Sequence, residues 1–211
     1  ALFSLYNQGK FDDVLSWCSK LIGEFPYTFE FYNLKGAIYF EKGNKEVALH
    51  QFRENTKLFP EHPYAYNNLA TALIKTGEYE EARYNFDVAI KLKPDYAEAY
   101  NNLGNLHKDL GEYNSAIFVY KKALNLNPRN ANAAHFFAHI LYEENEVSAG
   151  RDYLAAWMPK YDRRSLLHGH LSWHQALWAL HDGDETSMWE IVDASVSNEK
   201  GSSLPINALT D

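Results

Sequence analysis

The sequence predicts an all-α fold, a right-handed α-solenoid of about six helical hairpins, and three observations support this prediction. Proline and glycine each recur with a step of 34 residues. The prolines are Pro26, Pro60, Pro94 and Pro128, and the glycines are Gly9, Gly43, Gly77 and Gly111. Residues 63–96 also carry the same residue types at the same offsets as residues 97–130. A fixed period of this length, with a glycine turn in mid-unit and a proline at its end, is typical of stacked helix-turn-helix units.

The first hairpin is interpreted by counting back from the later ones. Because Gly9 matches Gly43, the sequence begins inside a first helix, and we expect the first hairpin to be truncated. Its second helix is predicted from Phe11 to about Glu24 and ends before Pro26, since proline disfavours continuation of a helix. Residues 29–62, 63–96 and 97–130 are then three complete units.

Small residues recur where the two helices of each hairpin are predicted to approach closely. On first helices they are Gly36, Ala70, Gly104 and Ala138, and on second helices they are Ala48, Ala82 and Ala116. Large aromatic side chains beside them, such as Phe86 and Tyr120, are expected to fill the remaining space. Cys18 falls at the same core position as Phe86, so we interpret it as an inert buried thiol.

The pattern changes after Asn130. The core spacing continues through Leu141, but Asn145 replaces the turn glycine and Pro159 arrives early. Helices are predicted from about Leu166 to Leu180 and from about Glu185 to Val196, and four of the five tryptophans lie in this portion. We therefore expect a consensus array over residues 1–130, continuous with two divergent hairpins and a tail over residues 131–211, which together form a specialised end.

These residues carry a resemblance to a known family. The recurring aromatic, Leu-Gly or Leu-Ala, Gly-Glu-Tyr, alanine and proline positions resemble the tetratricopeptide repeat over most of residues 1–130. In residues 131–211, AHFFAHIL, HLSWHQALWALHDGD and INALTD resemble the carboxyl half of the tetratricopeptide repeat protein 38 family. That family continues into a further helix, so we expect both ends of this sequence to be truncated. The first resemblance implies a scaffold that binds segments of other proteins, and the second implies no established reaction.

Charge and composition narrow the classes of partner. The formal net charge is −8 with no basic cluster to offset it, so nucleic acid is not an expected partner. No apolar run approaches the roughly 18 residues that cross a bilayer, so membrane insertion is not expected either. A single cysteine and no recognisable leader favour a soluble, cytoplasmic protein. A homo-oligomer stays open, because the exposed end of a solenoid can pair with itself.

A polar stripe on the first helices is the candidate binding site. Helical angles place it beside the core stripe, on the side that lines the concave groove of such solenoids. The predicted groove residues are Asn33, Asn67, Asn68, Thr71, Asn101, Asn102, Asn105, Lys108, His135, His139 and Tyr142. An amide carries both donor and acceptor, so it can pair with an extended peptide backbone without selecting its sequence.

The asparagine series has two interpretations. It resembles the asparagine ladder of superhelical repeats of the O-linked N-acetylglucosamine transferase type, but Asn-Asn is also a common consensus at a solvated helix start. Asn33, Asn67 and Asn101 stand where the clamp of chaperone-binding repeats requires lysine, so capture of a chaperone tail is not predicted.

Histidines occupy the groove stripe where the repeats diverge. His135 and His139 are four residues apart, and His170 and His174 repeat that spacing. Two imidazoles one helical turn apart can chelate one metal ion, and two such pairs would supply four neutral nitrogen ligands. Histidines flanked by aromatic residues more often serve packing, so these four are only candidate metal ligands and no cofactor is predicted.

The sequence therefore predicts a non-catalytic scaffold that holds a peptide or helix of a partner protein. One alternative is a metal or small-ligand site, possibly enzymatic, at the histidine cluster. Another is the targeting domain of a larger enzyme. No nucleophile or oxyanion donor accompanies the histidines, so we do not expect catalysis.

Overall fold

A computed structural model describes residues 2–144, 146–161 and 166–196 of the chain. The chain divides into two compact units, Ala1–Leu106 and His107–Asp211. Every regular element of the described residues is helical.

The first unit contains three helical hairpins and the start of a fourth. Its helices are α1 (Leu2–Asn7), α2 (Phe11–Glu24), α3 (Phe29–Glu41), α4 (Lys45–Leu58), α5 (Pro63–Ile74), α6 (Tyr79–Leu92) and most of α7 (Ala97–Asp109). Each helix from α1 to α5 packs on the next, and α3 also contacts α5. The sequence predicted the bounds of α2 correctly.

The second unit begins within the last turn of α7. Its helices are α8 (Tyr113–Leu126), α9 (Ala131–Glu143), α10 (Val147–Trp157), a 3₁₀ turn (Met158–Lys160), α11 (Leu166–His181) and α12 (Glu185–Ile191). A π-helical turn, Val192–Val196, follows α12, so the predicted final helix to Val196 is α-helical only in its first part. Asn145, most of the connection before α11, and the INALTD segment lie outside the described residues.

The predicted glycine turns are present between the helices of the hairpins. Gly77 has φ +85°, a left-handed backbone conformation that residues with a Cβ rarely adopt. Its N–H donates to the Ile74 carbonyl at 3.1 Å, and the N–H of Glu78 donates to the Leu73 carbonyl at 3.0 Å. These bonds end α5, and they explain why a glycine recurs at this position of each repeat.

The repeat-closing prolines also receive hydrogen bonds. The hydroxyl of Tyr32 donates to the Pro26 carbonyl at 2.9 Å, and that of Tyr66 donates to the Pro60 carbonyl at 3.0 Å. In the second unit, the indole N–H of Trp157 donates to the Pro128 carbonyl at 2.7 Å. An aromatic donor thus ties the connection between hairpins to a nearby helix in both units.

The cores confirm the predicted small and aromatic positions. In the first unit Ala48, Ala82 and Phe86 are fully buried, and Cys18 is fully buried against Val14 and Ile38. Burial raises the pKa of the Cys18 thiol, as expected for an unreactive cysteine. The core of the second unit contains the buried side chains of Tyr120, Trp157 and Trp178, whereas Trp189 is exposed.

Gly36 in α3 lies close against the ring of Phe52 in α4. A Cβ on this residue would lie 2.7 Å from Cε1 of the buried Phe52 ring. Overpacking of this kind costs about 1–3 kcal/mol, and better helix propensity returns about 1 kcal/mol. We expect Gly36→Ala to lower the free energy of unfolding by about 1 kcal/mol, measured by chemical denaturation followed by circular dichroism.

Gly23 in α2 provides the matched control, because nothing lies within 4 Å of a Cβ placed there. Gly23→Ala should keep or raise stability, by up to about 1 kcal/mol. Equal effects of the two substitutions would contradict the close approach of α3 and α4.

Candidate functional site

The asparagines of the first unit form a continuous chain of amide hydrogen bonds across three first helices. Going from α7 through α5 to α3, each side-chain amide donates to the next. The donor–acceptor pairs are Asn101 to Asn102 at 3.4 Å, Asn102 to Asn67 at 3.1 Å, Asn67 to Asn68 at 3.2 Å and Asn68 to Asn33 at 2.6 Å. We call these five residues the amide ladder.

The amide ladder buries two residues that the sequence placed on an accessible stripe. Asn67 is 1% exposed and Asn101 is 7% exposed. Consecutive first helices lie close enough for the second asparagine of one unit to reach the first asparagine of the preceding unit, and this contact covers Asn67. The bonded partners in different helices are 35 residues apart, one more than the repeat period.

The accessible part of the stripe in the first unit lies beside the ladder. Thr71 is exposed, and its hydroxyl donates to the Asn67 carbonyl at 2.9 Å. Asn33, Asn68, Asn102 and Asn105 are half-buried. The structure therefore brings the predicted asparagines of α3, α5 and α7 together on one face.

The second unit contains the other predicted stripe residues. The Lys108 ammonium lies 4.9 Å from the centre of the Phe136 ring. Tyr142 is 47% exposed and stacks on Trp178 with ring centres 6.5 Å apart. Both side chains remain accessible to a ligand.

The four histidines of α9 and α11 converge on one another. We call His135, His139, His170 and His174 the histidine cluster. One ligand nitrogen from each ring lies within 4.8 Å of all the others. The Nε2 atom of His135 is 2.9 Å from that of His139 and 2.7 Å from that of His170, and the Nε2 atoms of His170 and His174 are 3.0 Å apart. The two pairs expected from their spacing thus form a single group.

The cluster is half-buried, and burial favours neutral rings. Burial lowers the pKa of His135 to about 3, with a further contribution from the nearby His139 and His170 rings. Burial and the same kind of neighbours lower the pKa of His174 to about 3. The pKa values of His139 and His170 are also lowered, chiefly by burial. All four imidazoles are therefore neutral near pH 7 in the folded chain.

Aromatic rings and two charged groups surround the cluster. Trp173 packs against His174 with ring centres 5.2 Å apart, and Phe136 packs against His135 at 4.9 Å. The carboxylate of Glu143 opposes the lowering of the His139 pKa, whereas Lys108 adds to it.

The repeats of the chain match known family models. Four family models described as tetratricopeptide repeats match overlapping stretches of the chain. The matched residues are 29–62, 56–84, 71–111 and 97–130. Residues 29–130 therefore consist of tetratricopeptide repeats. None of these matches carries the resemblance of residues 131–211 to the tetratricopeptide repeat protein 38 family, which stays a prediction.

Solved structures of tetratricopeptide repeat proteins share the fold. PilF of Pseudomonas aeruginosa has a TM-score of 0.76 and 17% identity, over 95% of this chain and 90% of that one. MamA has a TM-score of 0.64 and 23% identity, over 75% and 87%. YrrB, described as having an unusual peptide-binding site, has a TM-score of 0.63 and 17% identity, over 85% and 90%. These likenesses confirm the predicted class, a right-handed solenoid of tetratricopeptide hairpins.

Two further findings concern the chain. No curated protein sequence matches it. Among its described helices, none combines the length and the apolar character that a bilayer span requires.

Proposed function

We propose that the face formed by α3, α5 and the first part of α7 binds an extended segment of a partner protein. The observation that carries this proposal is the amide ladder. It holds five amides in fixed orientations along a path that crosses three consecutive first helices.

The ladder uses only part of the hydrogen-bonding capacity of its amides. Each asparagine side chain offers two N–H groups and two oxygen lone pairs. Asn68 and Asn102 each spend one N–H and one lone pair on ladder bonds. Both are half-buried, so the second N–H and second lone pair are available to the backbone of a ligand.

Pre-orientation is what makes such amides useful for binding. A free asparagine on a helix surface loses rotamer freedom when it binds, which costs affinity. The ladder has already fixed these side chains in the unbound chain, so the cost of ordering them on binding is small.

The side chains beside the ladder suit an uncharged or basic segment. Ala37, Phe40 and Ile74 are half-buried on the same stripe and supply apolar contacts, while Thr71 supplies a hydroxyl. The net charge of −8 disfavours an acidic ligand. The lysines that would clamp a terminal carboxylate are absent from the ladder positions, so we propose recognition of an internal segment of the partner.

The peptide-binding site named for YrrB supports this reading, because a chain of the same fold binds peptide. We further propose that the role is non-catalytic. Within the second unit, taken by itself, we propose Lys108 and Tyr142 as contacts for the side chains of a ligand.

Peptides selected from a random displayed library test the proposal. The Thr71→Arg variant places a long side chain on the accessible part of the stripe without touching the ladder amides. We expect it to weaken binding of a selected peptide at least tenfold, which corresponds to about 1.4 kcal/mol. Fluorescence anisotropy with the labelled peptide measures the change.

Ser19→Arg in α2 is the matched control. Ser19 is exposed, and its hydroxyl donates to the Leu15 carbonyl at 2.9 Å, as Thr71 does to Asn67. This variant should bind the peptide like the parent chain. Selected peptides that bind Thr71→Arg and the parent equally would place the binding surface elsewhere.

A further inference from the structure

The histidine cluster occupies the position that the amide ladder occupies in the first unit. His135 is one repeat after Asn101, and it contacts His170, which is 35 residues further along the chain. The ladder partners Asn67 and Asn102 have the same separation. The second unit has therefore replaced an amide pair by an imidazole pair and added a second imidazole one turn later on each helix.

Imidazole rings cannot form the continuous chain of hydrogen bonds that the amides form in the ladder. A neutral imidazole nitrogen has a single in-plane site, which is either an N–H or a lone pair. The Nε2 atom of His135 faces two other Nε2 atoms at 2.9 and 2.7 Å, and that of His170 faces two at 2.7 and 3.0 Å. One site cannot point along two hydrogen bonds at once. The close Nε2–Nε2 contacts within the cluster therefore cannot all be hydrogen bonds.

We propose that the histidine cluster is a binding site for one divalent late first-row transition-metal ion, such as Zn²⁺, with Nε2 of each ring as ligand. An ion at the centre takes one lone pair from every ring, while each Nδ1 keeps its proton. Imidazole nitrogen suits zinc, copper and nickel and does not suit Mg²⁺ or Ca²⁺, which prefer oxygen.

The distances are close to those of a four-coordinate ion. Zinc–nitrogen bonds of 2.0–2.1 Å in a tetrahedron require nitrogen atoms about 3.4 Å apart. The three short contacts are 2.7, 2.9 and 3.0 Å, and no pair exceeds 4.8 Å. Movements of up to about 0.7 Å by each ring, within the reach of ordinary side-chain rotation, bring the set to this geometry.

The electrostatic setting permits a cation. The carboxylate of Glu143 lies near enough to affect His139 and offsets part of the ion's charge. The rings are half-buried, which leaves a route from solvent.

Four protein ligands make a closed site, which is typical of structural rather than catalytic ions. The ligands come from two helices that are separated in sequence by α10. The bound ion therefore cross-links α9 to α11 and stabilises the divergent hairpins of the second unit.

The test uses the full chain purified without a polyhistidine tag and treated with a chelator. Titration with Zn²⁺ in a calorimeter should give one ion per chain, while Mg²⁺ should give no binding. Co²⁺ should show the intense visible absorption of four-coordinate cobalt. At 100 times the dissociation constant, Zn²⁺ should raise the melting temperature by about 5–10 °C.

Variants assign the ligands. His135→Gln and His174→Gln should each weaken Zn²⁺ binding more than about tenfold, and the double variant should abolish the thermal shift. His181→Gln is the matched control, because His181 lies exposed at the end of α11 and outside the cluster. Circular dichroism of each metal-free variant checks that it is folded.

Three results would overturn the proposal. One is the absence of Zn²⁺ binding by the folded parent chain. Another is binding that survives the double substitution, and the third is equal loss of binding in His181→Gln.

Discussion

Replacing Asn67 by alanine should lower the free energy of unfolding by about 2–3 kcal/mol. Asn67 is 1% exposed and sits in the middle of the ladder, where it accepts from Asn102 and donates to Asn68. Its removal leaves one N–H of Asn102 and one lone pair of the Asn68 oxygen without their ladder partner, and a buried polar group that loses its partner costs about 1–3 kcal/mol. The half-buried partners recover part of this by binding water. Chemical denaturation followed by circular dichroism measures the loss.

Asn125→Ala is the control for this substitution. Asn125 is exposed in α8, so the change should stay within about 0.5 kcal/mol. A double-mutant cycle between Asn67 and Asn102 should give a coupling energy of at least about 0.5 kcal/mol. Additive effects would mean that the ladder bond contributes nothing to stability.

Replacing Asn55 by alanine should have the opposite sign and raise the free energy of unfolding by about 1–2 kcal/mol. Asn55 in α4 is fully buried, and neither its Nδ2 nor its Oδ1 has a hydrogen-bond partner in the part of the chain that the structure describes. The residues one and two repeats later are Ala89 and Ala123, both fully buried. Alanine therefore fits this position and removes the desolvation cost of the amide.

Asn85 in α6 provides an informative contrast for Asn55. It is 4% exposed, but its amide donates to the Glu81 carbonyl at 2.7 Å. Asn85→Ala should therefore destabilise the chain by about 1 kcal/mol. Equal losses of stability in the two alanine variants would contradict the absence of a hydrogen-bond partner for the Asn55 side chain.

Much of the fold could be predicted because the repeat period is visible in the sequence. The step of 34 residues gave the hairpins, their glycine turns and the bounds of α2. The position of Gly36, which faces Phe52, followed from the same register. Repetition makes each unit a check on its neighbours, so local ambiguity between helix and loop largely disappears.

The amide ladder could not be predicted from the period alone. Helical angles give the direction in which Asn67 and Asn101 leave their own helices, but not the distance to the next first helix. That distance depends on how the hairpins stack. In the sequence, the ladder is indicated only by asparagines that lie 35 residues apart. This separation indicates a ladder only where two asparagines are adjacent in a repeat.

The histidine cluster was predicted in part. The four-residue spacing gave the two pairs, because residues one turn apart share a helix face. Their convergence was harder to foresee, since the early Pro159 and the longer connection before α11 obscure the register of the repeats. The separation of 35 residues between His135 and His170 shows that the ladder register returns in α11.

Side-chain amide NMR signals show whether the face formed by α3, α5 and the first part of α7 binds an extended peptide. On addition of a library-selected peptide, we predict shifts of the Nδ2–H₂ signals of Asn33, Asn68 and Asn102, because these amides would gain hydrogen bonds to the peptide backbone. Backbone signals of α2, α4 and α6 should stay unchanged. Shifts confined to those second helices, with the three asparagine signals unmoved, would contradict the account.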